Sequence, residues 1–172
     1  MKMDIAFVKN TLGSSSKLIR DNAVETLCEF IRLSKFDDPK AREFENLIVG
    51  ILANGHENQE LGWESYNGCL LALDCFVSCD LSLYAKENPL NLLIESRCLR
   101  FCHHEESRLK TTLGEFLHTM TFKHGASVYK FCANELLPSI VNLVESSKVQ
   151  PLNDKIISPT KVKNFASLES YV

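Results

Sequence analysis

The sequence predicts an all-α fold of stacked helical hairpins, and three observations carry that prediction. Apolar residues recur at steps of three and four along most of the 172-residue chain, and the strict alternation of a half-buried strand is absent. Only seven glycines and five prolines punctuate the chain, so the periodic stretches run long. One short segment also occurs three times, at a spacing that suits a pair of helices.

The elements follow in order from caps and breakers. A first short helix is expected from about Met3 to Thr11, ending near Gly13. Ser14, Ser15 and Ser16 then offer an N-cap for a second helix, about Lys17 to Ser34, with Ile19, Ala23, Leu27, Phe30 and Ile31 as its apolar stripe. Asp38-Pro39 starts a third helix, because proline in the first turn loses no hydrogen bond that the helix needs. Phe44, Leu47, Ile48, Ile51 and Leu52 form its stripe, and Asn54-Gly55 ends it. A fourth helix runs from about Gln59 to Cys79 with Trp63, Cys69, Leu70, Leu73, Phe76 and Val77. Asn88-Pro89 opens a fifth, reaching about His103. A sixth spans Glu105 to Phe122, acidic at its start and basic beyond Met120, as the helix dipole prefers. After Gly125 a seventh covers about Ala126 to Ser146.

The repeated segment reads Thr26-Leu27-Cys28-Glu29-Phe30-Ile31 in the second helix. It returns as Ala72-Leu73-Asp74-Cys75-Phe76-Val77 in the fourth and as Thr112-Leu113-Gly114-Glu115-Phe116-Leu117 in the sixth. Leu27, Leu73 and Leu113 are separated by 46 and 40 residues. A single hairpin cannot bury its own apolar face, so hairpins repeated at this period stack to share a core. An irregular helical bundle with similar core demands would satisfy the same segment.

The chain resembles the HEAT/armadillo family, most closely at its N-terminus. Phe7-Val8-Lys9-Asn10-Thr11-Leu12, a serine-rich turn, then Ile19, Arg20, Ala23 and Leu27 match the family's first helix, turn and second helix. Tyr66 and Glu106 stand where later repeats would carry the equivalent of Arg20, which interrupts the family's arginine ladder. Glu135-Leu136-Leu137-Pro138-Ser139-Ile140-Val141-Asn142-Leu143-Val144 is similar to a further first helix, with a proline kink. The resemblance implies a right-handed α-solenoid of about three and a half hairpins over residues 1–146. Its last helix has no partner, and is either a cap or the end of a shortened form of a longer array. It also implies a non-catalytic scaffold or adaptor that binds other proteins. In such arrays the second helix of each hairpin lines the concave surface, so Arg20, Glu25, Glu64, Glu106 and Lys110 are the expected partner-binding residues.

Residues 147–172 carry few bulky apolar side chains and no helical stripe, and are expected to form a flexible tail. Ser158-Pro159-Thr160-Lys161 resembles a proline-directed phosphorylation site at Ser158, or is an ordinary turn. The final Ser170-Tyr171-Val172 resembles a class I PDZ ligand. A PDZ groove adds such a peptide as a strand and captures its terminal carboxylate.

Composition narrows the partners. The net charge of −3 leaves no broad basic field to hold a polyphosphate backbone, so nucleic acid is not expected. Lys2, Asp4 and Lys9 interrupt any secretory h-region, and the apolar run from Leu136 to Val144 is too short to span a bilayer. A protein of the cytoplasm or nucleus is expected. The seven cysteines are an odd number, and Asn-X-Ser/Thr sequons are absent, which fits a reducing compartment with cysteine used as a small apolar residue.

Chemistry-bearing clusters are few. Cys98, Cys102, His103 and His104 could supply soft ligands to zinc, or a cysteine nucleophile with a base nearby. Core packing and a polar helix end explain the same residues without any metal. The acidic pairs Asp37-Asp38 and Glu105-Glu106 sit at helix starts, where the dipole stabilises them. No catalytic centre and no cofactor are expected. Trp63 and Tyr66, early in the fourth helix, are either interface anchors or plugs between hairpins.

Overall fold

The computed structural model describes residues 3–35, 38–54 and 61–149. Among them the chain is all-helical, with no strand. Helix α1 (Ile5–Phe7) runs into a π-helical turn (Val8–Leu12), followed by α2 (Lys17–Leu33), α3 (Pro39–Ala53) and α4 (Trp63–Ser78). Then come α5 (Leu83–Glu87), α6 (Pro89–Ser96), a 3-10 helix (Cys98–His103), α7 (Ser107–His124) and α8 (Ala126–Val149). The described residues divide into two units, one ending at Leu137 and the other beginning at Pro138. No helix among the described residues is long and apolar enough to cross a membrane.

The capping signals work as local chemistry dictates. Asp4 Oδ1 accepts from the backbone N–H of Ala6 and Phe7, at 3.0 and 3.1 Å. Asp38 Oδ1 accepts from Lys40 N–H at 2.8 Å, with Pro39 next in line. Asn88 Oδ1 accepts from Leu90 N–H at 3.1 Å, again ahead of a proline. Gly125, at φ 74°, closes α7 in a conformation that a side chain would strain. The Nζ of Lys123, in the last turn of α7, sits 3.0 Å from Asp80 just past the end of α4.

In the first unit α4 is the central helix. It packs against the π-helical turn, α2, α3 and α7, while α3 also packs on α6. The repeated segment follows this arrangement. Ala72, Leu73, Phe76 and Val77 of α4 are all buried, as are Thr112, Leu113 and Phe116 of α7. On α2 only Ala23, Leu27 and Ile31 are buried, and Phe30 is half-buried. A helix flanked on several sides buries most of its surface; one packed along a single stripe does not. For that reason Ile19, expected in the α2 stripe, is 43% exposed.

Gly68 permits a close backbone approach to α4. A Cβ there would stand 2.7 Å from the carbonyl oxygen of Leu12 and 2.8 Å from its Cβ. Only a glycine lets the π-helical turn press this tightly onto the central helix.

Three expectations are corrected. The helix expected to reach His103 stops at Ser96, because Arg97 takes a left-handed conformation (φ 50°) and a 3-10 helix follows. Helix α5 lies where no element was expected. Finally, cysteine is not only a small apolar residue here, since Cys28 of α2 and Cys75 of α4 form a disulfide with Cα atoms 5.9 Å apart. Cys69, Cys98 and Cys132 are buried in the apolar core as expected.

Two polar ties hold α5 and the 3-10 helix in place. Glu45, fully buried on α3, accepts from Leu83 N–H at the start of α5 at 3.0 Å, and Tyr84 donates its hydroxyl to Asn46 Oδ1 at 3.0 Å. Arg100 Nη2 donates to the Leu52 carbonyl in the last turn of α3, where a cation suits the helix dipole.

Candidate interaction surface

The N-terminal turns of α2, α4 and α7 meet around one side chain, Trp63. The Arg108 guanidinium carbon lies 4.2 Å from the centroid of its ring, and that of Arg20 lies 5.7 Å away. Guanidinium groups favour an indole face because the electron-rich ring attracts positive charge. Two cations from different helices therefore share one aromatic ring, and the half-buried Trp63 links the three helices at their first turns.

Each arginine is also oriented by its own partners. Arg20 Nη1 donates to the carbonyl oxygens of Ser14 and Ser15, at 2.6 and 3.0 Å. The serine-rich turn thus aims Arg20 back over α4. Arg108 is gripped by Glu106 in two-point fashion, Nε to Oε1 at 2.8 Å and Nη2 to Oε2 at 3.0 Å. Glu106 is the N-cap of α7, and its Oε1 also accepts from Arg108 N–H at 3.1 Å. The Arg108 side-chain hydrogen bonds, helped by this backbone N–H, hold the Glu106 carboxyl down to about 2. The side-chain hydrogen bond to Glu106, supported by the negative charges of Glu106 and Glu64, in turn raises Arg108 above its ordinary value.

Of the five residues expected to bind a partner, Arg20, Glu64 and Glu106 converge on this group. Glu25 lies on the exposed face of α2, about 7 Å further along the axis than Arg20. Lys110 is exposed one turn into α7, on the side of Cys102. Burial raises the Cys102 thiol, with a backbone hydrogen bond and the Lys110 charge pulling the other way. Arg108 went unread in the sequence. It stands two residues past Glu106 and completes a stack of arginine, tryptophan and arginine with Trp63 and Arg20. The one signal for it is positional: Arg108 stands in the first turn of α7 as Trp63 stands in the first turn of α4.

Next to this group, α4 shows one half-buried strip that includes Glu64, Asn67, Leu71, Asp74 and Cys75. On it Asn67 Oδ1 and Asp74 Oδ1 are buried acceptors with no hydrogen-bond partner. Such atoms cost free energy until a donor reaches them. At the other end of the same helices, a cleft of about 350 Å³ is lined by Val77, Asp80, Ser82, Ala85, Lys86 and His124. In the second unit α8 leaves Ile140, Val141 and Val144 about half exposed.

The Cys98–His104 region is built differently from the helix expected there. In a 3-10 helix, with about three residues per turn, Cys98 and Cys102 do not share a face. Cys98 is fully buried, and burial pushes its thiol up to about 12. That is the reverse of the lowered value that activates a nucleophilic cysteine. His104 Nδ1 accepts from Glu106 N–H at 3.0 Å, and its ring meets Phe101 edge-on at 6.4 Å. Among the described residues, no three His, Cys, Asp or Glu side chains are grouped to hold a metal ion. Tyr66 is buried against Phe101, with ring centroids 5.3 Å apart. Ser158, Ser170, Tyr171 and Val172 lie outside the described residues, as does all of the expected tail beyond Val149.

Compared with protein families, with curated proteins and with solved structures, the chain gives no match in any of the three.

Proposed function

We propose that this chain is a non-catalytic scaffold or adaptor, a right-handed α-solenoid of HEAT/armadillo type that binds other proteins along the row formed by α2, α4 and α7. The packing order supports the architecture. α2 lies on α4 and α4 on α7, while α3 lies on α6 and pairs with α4 as the π-helical turn pairs with α2. Second helices of successive hairpins would stack in this way, with first helices forming the other row.

The observation that carries the binding reading is the Trp63 group. A half-buried tryptophan held between two oriented guanidiniums, at an exposed edge, has the composition and rigidity of an interface hot spot. Its carboxylates Glu64 and Glu106 balance the arginines, so the surface suits a mixed polar partner rather than a polyanion.

The test compares the full chain with an Arg20→Glu/Arg108→Glu double variant in quantitative affinity capture from cells. A third arm lacks residues 169–172. Partners retained by the parent chain and by the shortened arm, yet lost from a double variant of unchanged helicity, are the expected result. Partners lost only from the shortened arm would transfer the function to the PDZ-ligand-like end. Equal capture by all three would remove the Trp63 group from the account.

A further inference from the structure

The disulfide between Cys28 and Cys75 crosses the seam between α2 and α4, and its half-cystines are 47 residues apart in sequence. Without the disulfide, α2 is held by one stripe, in which Val24 and Phe30 are half-buried, and by Arg20 over Trp63. Of its 17 residues only Ala23, Leu27 and Ile31 are buried, while Leu18 and Leu33 are 70% and 86% exposed. A helix with so few buried contacts sits at the low-stability end of a fold and opens locally. The covalent link therefore falls at the place where a link changes most.

The seven cysteines also divide by accessibility. Cys69, Cys98 and Cys132 are buried, and burial raises all three thiols, which keeps them inert. Cys28 and Cys75 are only partly buried, so a small thiol or disulfide can reach them. Cys79, the C-cap of α4 four residues beyond Cys75, and Cys102 of the 3-10 helix are partly buried too. Helical geometry keeps side chains four residues apart at about 5–6 Å between Cβ atoms, wider than a disulfide spans, so Cys75 is matched to Cys28 across the seam.

We propose that Cys28 and Cys75 form a reversible redox clamp that fixes α2 to α4 when oxidised and frees it to open when reduced. The oxidant is a low-molecular-weight disulfide such as glutathione disulfide. One cysteine, as thiolate, attacks a glutathione sulfur; a protein–glutathione disulfide forms and one glutathione thiolate leaves. The second cysteine thiolate attacks the protein sulfur of that bond and expels the second glutathione. Two protein thiols have lost two protons and two electrons, and one glutathione disulfide has become two glutathione thiols. Excess reduced glutathione runs the same steps backwards. The clamp does not depend on the scaffold reading.

The experiment equilibrates the full native chain in glutathione buffers from fully reducing to fully oxidising. Thiols are then trapped by alkylation and peptides mapped by mass spectrometry. The expected result is a linked peptide pair carrying Cys28 and Cys75, formed in the oxidising buffers and lost again on return to the reducing ones. Hydrogen exchange on the same samples should show α2 amides slowed about tenfold or more by oxidation, with α4 amides from Leu70 to Leu73 little changed. Cys28→Ser and Cys75→Ser should each exchange α2 amides at the reduced rate in every buffer. The proposal is overturned if Cys75 links mainly to Cys79, if no link forms, or if the link survives the reducing buffer in folded protein. Equal α2 exchange in both states would overturn it as well.

Discussion

The guanidinium carbon of Arg108 stands 4.2 Å from the centroid of the Trp63 ring, so the first turn of α7 rests on the first turn of α4 through a cation on an aromatic face. Trp63 is the single tryptophan of the chain, which makes the contact directly observable. Arg108→Ala should shift the tryptophan emission to the red as water reaches the ring. It should also lower the urea midpoint slightly, as the loss of a cation from an aromatic face at an exposed site does. Fluorescence and urea denaturation on the same samples check both. Unchanged emission would mean that the stack does not persist in solution.

Two glycines on the long helices should respond in opposite directions. Gly68 faces the Leu12 backbone, and a Cβ there would stand 2.7 Å from its carbonyl oxygen. Gly68→Ala therefore forces the π-helical turn off α4 and should cost about 1–3 kcal/mol. Around Gly114, on α7, a Cβ would meet nothing within 4 Å. Gly114→Ala should stabilise by about 0.5–1 kcal/mol through helix propensity and a less flexible unfolded chain. Thermal or urea unfolding of the two variants decides the matter, and equal effects would contradict the close approach at Gly68.

Much of the fold was legible because it is written in local chemistry. Asp38-Pro39 and Asn88-Pro89 announce helix starts that need only the next two residues to form. The recurring leucine and phenylalanine at Leu73, Phe76, Leu113 and Phe116 mark core positions whichever neighbours they meet. Features that depend on a neighbour were not legible. The left-handed Arg97 breaks a helix whose apolar spacing continues through it, and beyond the break Phe101 packs on Tyr66. Cys28 and Cys75 occupy the third and fourth places of their copies of the repeated segment, so only the register of α2 against α4 brings them together. Arg20, Glu64 and Glu106 are expected partner-binding residues from the family resemblance alone, whereas their gathering around Trp63, with Arg108 among them, depends on tertiary packing.

Glu45 should make stability depend on pH in a predictable direction. Burial raises its carboxyl above the ordinary 4.5, and hydrogen bonds from Ser82 and Leu83 offset this only in part. Its Oε1 has no hydrogen-bond partner. A raised value in the folded state means that its contribution is fully present below 4.5. That contribution falls away as pH rises from there through the higher value reached in the fold. Glu45→Gln keeps an oxygen for Leu83 N–H and cannot ionise. The parent should therefore lose stability relative to this variant as pH rises from about 4 towards neutrality. Urea denaturation at a series of pH values measures the stability of the parent minus that of the variant, and a value that stays flat or rises with pH contradicts the burial of an uncompensated carboxylate.

Pro138 interrupts α8 at the boundary between the two compact units. Having no N–H, it cannot return a helical hydrogen bond to the carbonyl four residues earlier, that of Asn134. The ladder of bonds along α8 thus has a missing rung at the place where one unit gives way to the next. Fraying that begins at the distal turns loses its cooperative path there, short of Val128 and Cys132, whose side chains belong to the core.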